Sequence, residues 1–171
     1  ITNGGDEADI AVAFNEQVLL GRVNAGELKP GCIVLLENMW AEHDDAKIAG
    51  QYSETRDRLV AEGYRVYEVP METECRALVP DPRKGKNMFV LGMLCNIYSL
   101  DVKLGREQIA LTFGKKDRKV IEVNQGLLDA GYLWAEQNFD FKYRIPAVKN
   151  STTCPTFSNA SAALSTRRRT R

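Results

Sequence analysis

Two nearly continuous apolar runs, "ADIAVAF" (residues 8–14) and "CIVLLEN" (residues 32–38), flank a stretch of helical character. Runs of this kind, each turning polar at its end, mark strands buried on both faces, as in a parallel sheet covered by helices. The intervening residues 16–28 open on an acid and place Leu19 and Val23 one turn apart, which predicts a helix. "LKPG" then supplies Pro30 and Gly31, residues suited to the centre of a type II turn. Strand, helix and strand in this order make a βαβ unit, whose crossover is expected to be right-handed.

The pattern continues. Ile48, Tyr52, Thr55 and Leu59 form a helical stripe within residues 45–62, and Gly63 sits where a left-handed C-cap residue belongs. "YRVYEV" alternates weakly before Pro70 and reads as an exposed edge strand. Beyond it the chain is helical: a short helix at 71–78, then helices at 88–98, 105–113 and 119–138. The last carries Val120, Val123, Leu127, Gly131 and Trp134 on one stripe. The segment 88–98 is apolar nearly all round, so Met88, Val90, Leu91, Leu94, Cys95 and Ile97 are expected in the core. The fold class is therefore α/β, a three-layer arrangement with a mostly parallel sheet covered by helices and a mainly helical C-terminal half. Residues 1–146 form one such domain, and 147–171 are expected to be an extended or disordered basic tail.

With 44% hydrophobic and 27% charged residues the chain is globular rather than disordered. Its net charge is zero, but Arg167, Arg168, Arg169 and Arg171 lie in a tail without acids. Setting them aside leaves 19 basic against 23 acidic residues. The body is mildly acidic, and four arginines without interleaved aromatics do not make a nucleic-acid surface. Cys32, Cys75, Cys95 and Cys154 show no close spacing, which gives no support to clustered thiolate sites for zinc or iron–sulfur. The scattered thiols, with no secretory signal read ahead of the fold, lead to a cytoplasmic expectation. The longest apolar stretch falls short of the ~20 residues a membrane span needs, so no membrane partner is expected.

Candidate chemistry is sparse. "DPRKGKNM" brings Arg83, Lys84, Lys86 and Asn87 to the start of an apolar helix, where free N–H groups and the helix dipole favour a phosphate or carboxylate. Against this, charged loops are commonly just solvated, with Asn87 serving as a helix cap. Asn15, Glu37 and Asn38 stand at the carboxyl ends of predicted parallel strands, the edge at which open α/β sheets bind ligands; strand ends must also turn polar somewhere. His43, the one histidine, has no nucleophile placed beside it, and Asp44 or Asp45 is set to cap the following helix. Neither a G-x-G-x-x-G nor a G-x-x-x-x-G-K-[ST] pattern occurs, and no catalytic or metal-ligating set emerges.

The assembled segments resemble the gamma domain of the 2-oxoacid:ferredoxin (acceptor) oxidoreductases. "ADIAVAFN" followed by a helix and "LKPGCIVLLEN", then "KNMFVLGMLCNIYSL" with Asn87, Met88 and Gly92, then "KVIEVNQGLLDAGY" with Asn124, Gly131 and Tyr132, follow that domain's order over residues 6–140. The family's opening Gly-rich strand–turn–helix and its later "RGG" segment are not in this sequence. The expectation is a partial domain of low stability alone, in a longer polypeptide or with those residues supplied elsewhere.

The resemblance implies a reaction of the whole complex. A 2-oxoacid is oxidatively decarboxylated on thiamine diphosphate, the acyl group passes to coenzyme A, and electrons leave through [4Fe–4S] clusters to ferredoxin. It places thiamine diphosphate, Mg and the clusters in partner domains or subunits, with no cofactor bound by this chain alone. The gamma domain packs on those catalytic partners and can shape the coenzyme A side of the site, where Arg83, Lys84, Lys86 and Asn87 would meet phosphate. Pyruvate, 2-oxoglutarate and aryl pyruvates stay open as substrates. So do the alternatives of an independent α/β phospholigand-binding module and a non-catalytic interaction domain.

Overall fold

The computed structural model describes residues 7–114 and 117–144; the basic tail and Cys154 lie outside them. Three strands, β1 (Ala8–Ala13), β2 (Leu28–Glu37) and β3 (Arg65–Val69), form one parallel sheet in the order β1-β2-β3. Helix α1 (Glu16–Asn24) links the first two strands and α2 (Ala46–Ala61) the second pair. Four helices follow: α3 (Met71–Arg76), α4 (Lys86–Ile97), α5 (Val102–Phe113) and α6 (Arg118–Asn138). The expected α/β class, with its helical C-terminal half, is what is found.

Period-2 alternation along β2 builds the layers. Cys32, Val34 and Leu36 pack with Leu19 of α1 and with Tyr52 and Leu59 of α2. Ile33 and Leu35 pack on the other face with Met71, Cys75, Phe89, Met93 and Leu127 of α3, α4 and α6. Burying each large aliphatic side chain contributes roughly 1.5–3 kcal/mol, so this central strand, covered on both faces, anchors the domain.

Local signals set most boundaries. Asn15 caps α1 by accepting from the N–H groups of Gln17 and Val18. Asp45, rather than Asp44, caps α2 through the N–H of Lys47. Gly63 follows α2 at φ +88°, in the left-handed region that favours glycine.

Three expectations change. Pro30 and Gly31 lie inside β2 rather than before it: the pairing Ala8↔Leu28 jumps to Ile10↔Ile33, and the extra residues are absorbed at Gly31, φ +74°. β1 is half-buried rather than covered on both faces, because among the described residues it sits at a sheet edge and pairs with β2 alone. In α4, Val90, Cys95 and Ile97 are buried as expected, but Met88 and Leu94 are half-buried and Leu91 is 38% exposed. That helix packs chiefly along α6, and only a narrow strip carrying Asn87 and Leu91 is exposed among the described residues.

Candidate functional site

The carboxyl edge of the sheet holds a buried ionic cluster. Parity sends Glu37, at the end of β2, to the face it shares with Ile33 and Leu35, under the start of α4. Its side chain is 0% exposed and lies 2.8 Å from the Lys86 ammonium, itself 9% exposed. Lys86 also reaches Glu72, the second residue of α3, at 3.0 Å, and Arg76 closes the chain with a 2.7 Å bond to the same carboxylate. The other Glu37 oxygen accepts longer bonds from the N–H groups of Met39 (3.3 Å) and Glu72 (3.4 Å). α3 has no side-chain cap of its own, because Pro70 precedes it, so this carboxylate serves its first turn.

Two carboxylates and two cations balance, which is how charges survive burial. Burial pushes the Lys86 ammonium down, but its bonds to Glu37 and Glu72 more than offset this and leave it above the ordinary lysine value. The Arg76 guanidinium, working against burial and joined by Lys86, holds Glu72 below the usual carboxylate range. Lys86 is therefore a permanent cation at neutral pH and an electrostatic clasp rather than a general base. Burial raises the neighbouring Cys75 thiol to about 11, so it rests as an unreactive thiol.

A cleft of about 530 Å³ opens beside the cluster, lined by Asn38, Met39, Glu42, Thr73 and the exposed side of Arg76. Among the described residues, no group of three or more His, Cys, Asp or Glu is placed to hold a metal ion. No helix among them is long and apolar enough to cross a membrane.

The residues singled out in the sequence divide in two. Arg83 and Lys84 stand on an exposed lip, each side chain 83% accessible, and both approach Asp81, at 2.9 and 3.9 Å. Asn87 is exposed in the first turn of α4. It is not the helix cap: that position belongs to Gly85, which offers no side chain. Lys86 parts from the other three cation-loop residues. Both Glu37 and Glu72 hold its ammonium inside, so it cannot reach a ligand on the lip.

At the strand ends, Asn15 is occupied as the α1 cap and Glu37 as the partner of Lys86. Of these three, Asn38 lines the cleft. His43 stacks on Trp40 at 5.8 Å and accepts from the Asp45 N–H, so it organises the turn into α2. Glu72 and Arg76 escaped sequence reasoning. Their one signal was an acid and a base four residues apart on a short helix, a spacing common on solvated surfaces.

Against known proteins, the chain matches the pyruvate ferredoxin/flavodoxin oxidoreductase family over residues 4–134. It is 29% identical over 140 residues to ketoisovalerate oxidoreductase subunit VorA of Methanothermobacter marburgensis, covering 81% of this chain and 25% of that protein. It is 27% identical over 155 residues to 2-oxoglutarate oxidoreductase subunit KorA of Mycobacterium tuberculosis, covering 85% and 23%. In fold it is similar to 2-oxoglutarate:ferredoxin oxidoreductase from Magnetococcus marinus, a structure with 2-oxoglutarate, coenzyme A and succinyl-CoA bound. There the TM-score is 0.60 at 23% identity, over 84% of this chain and 23% of that one. The chain thus spans about a quarter of the length of each relative.

Proposed function

Because the chain belongs to the pyruvate ferredoxin/flavodoxin oxidoreductase family, we propose that it is the gamma-type domain of a thiamine diphosphate-dependent 2-oxoacid:ferredoxin oxidoreductase, working only in assembly with catalytic partners. The overall reaction would be oxidative decarboxylation of a 2-oxoacid to an acyl-CoA, with ferredoxin as electron acceptor. The observation that carries this reading is the family match across residues 4–134. The two curated relatives support it, since both are named as subunits of oxidoreductases acting on 2-oxoacids.

Thiamine diphosphate, magnesium and [4Fe–4S] clusters belong, in this proposal, to the partners. The described cysteines Cys32, Cys75 and Cys95 are buried apart from one another, and the described residues offer no metal-ligand cluster. Those residues do not suit a thiolate-held cluster.

The proposed contribution of the chain is on the coenzyme A side. Arg83, Lys84 and Asn87 stand exposed at the start of α4, where cations and free N–H groups favour phosphate. Lys86 acts behind them, as the clasp that fixes the head of α4 to the sheet edge.

Coenzyme A saturation kinetics of the assembled enzyme test this. Replacing both Arg83 and Lys84 by Ala should raise KM for coenzyme A by roughly tenfold or more, because charge-assisted phosphate contacts are worth about 1.5–3 kcal/mol each. The decarboxylation step, which precedes acyl transfer, should be unchanged. A KM that stays the same at both low and high ionic strength would remove the lip from the coenzyme A site.

A further inference from the structure

The lip that carries Arg83 and Lys84 is an excursion between two helices, and an ion pair closes its base. α3 ends at Arg76 and α4 begins at Lys86, with a tight turn at Pro82–Lys84 between them. Glu72 Oε2 of the first helix meets the Lys86 ammonium of the second at 3.0 Å. Both side chains are nearly buried, 11% and 9% exposed, so salt and solvent screen this pair little.

Glu72 is the shared group. Its Oε1 accepts from Arg76 at 2.7 Å, and its backbone N–H donates to Glu37, so the residue is fixed from its own helix and from the sheet. Glu37 holds Lys86 independently at 2.8 Å, so the head of α4 keeps its anchor on β2 when Glu72 is changed. What is lost is the tie between α4 and α3. The spacing of those helices matters where the lip returns: a Cβ on Gly85 would come within 3.1 Å of Leu127 and 3.2 Å of Val79. The ion pairs of Arg83 and Lys84, by contrast, are with Asp81 inside the same loop and do not fix the lip to the body.

We propose that Glu72 is a positioning residue for the lip: by tying α3 to α4 across its base, it sets where Arg83 and Lys84 stand and how well they meet a phosphate. The functional half of this inference rests on the coenzyme A reading of the lip, while the conformational half rests on the ion pair and the packing at Gly85. The sign of the effect separates positioning from plain electrostatics. Taking a negative charge from behind the lip would by itself strengthen phosphate binding; loosening the lip weakens it.

The test uses Glu72→Gln, which keeps the size of the side chain and removes its charge, in two measurements. In the full chain, limited trypsin digestion below the melting transition should cut after Lys84 roughly fivefold faster than in wild type, with cleavage after Arg58 in α2 unchanged. Unchanged cleavage after Lys84, or an equal rise at both sites, would overturn the proposal, the second by reporting general loosening. In the assembled enzyme, Glu72→Gln should raise KM for coenzyme A roughly threefold to tenfold with kcat unchanged. It should add nothing once Arg83 and Lys84 are both Ala, because it acts through them. If the lip replacement raises KM and Glu72→Gln does not, the positioning role falls and the coenzyme A reading stands. If the lip replacement leaves KM unchanged while cleavage after Lys84 still speeds up, the coenzyme A reading falls and Glu72 remains the residue that sets the lip.

Discussion

Gly92 of α4 and Gly131 of α6 are reciprocal contact points between the backbones of their two helices. A Cβ on Gly92 would overlap the Leu128 carbonyl oxygen and come within 2.8 Å of the Tyr132 nitrogen. One on Gly131 would overlap the Phe89 carbonyl oxygen and come within 3.1 Å of the Phe89 Cα. Neither obstruction is a flexible side-chain tip, so neither can swing aside.

Gly92→Ala and Gly131→Ala should therefore each destabilise the domain by about 1–3 kcal/mol or more, the range for overpacking a tight interior. Gly126, also within α6, meets nothing within 4 Å. Gly126→Ala should raise stability by up to about 1 kcal/mol through helix propensity alone. Urea unfolding of the three variants checks the pair against its internal control. Equal effects at all three positions would mean that the close approach does not exist.

Removing the buried cation should be costly. Lys86→Met leaves Glu37 as an uncompensated buried carboxylate and should cost about 3–5 kcal/mol, whereas Lys84→Ala on the lip should change stability by no more than about 0.5 kcal/mol. Adding Glu37→Gln to Lys86→Met should recover part of the loss. A double-mutant cycle by denaturant unfolding measures that coupling; strict additivity would show that the two residues do not interact.

The same cluster sets a pH dependence, and its sign differs at the two ends. Glu72 titrates lower when folded than its usual 4.5, so its contribution is complete above that value and is lost as pH falls through the lowered one. Lys86 titrates higher than its usual 10.5, so its contribution is complete below that value and is lost as pH rises through the raised one. Unfolding free energy measured across pH should fall away at both extremes. In Glu72→Gln the difference from wild type should be present at neutral pH and shrink in acid.

Leu91 provides a test of how α4 is covered. At 38% exposure, Leu91→Lys should shift stability by no more than about 0.5 kcal/mol, while Phe89→Ala, two residues away and fully buried, should cost about 3–5 kcal/mol. Thermal unfolding separates the two. Comparable losses would place a further element over the outer side of α4.

What the sequence determined by itself was mostly local. Alternation and apolar runs located all three strands, and Asp45 and Gly63 sat where helix ends require a cap or a left-handed residue, because those signals act within a few bonds; Asn15, read only as a polar strand end, proved to be a cap as well. Glu37 and Lys86 were both visible in the sequence, one as a polar strand end and the other among three cations. Their pairing was not visible, since they are distant in the chain and meet only when β2 lies beneath α4. The same holds for Gly92 and Gly131, whose lack of a side chain gains meaning once two helices cross at backbone distance. Only the tertiary structure could decide which cations are wet and which are buried, because desolvation depends on what arrives from elsewhere in the chain. It left Arg83 and Lys84 on the surface and drew Lys86, two residues further on, into the interior.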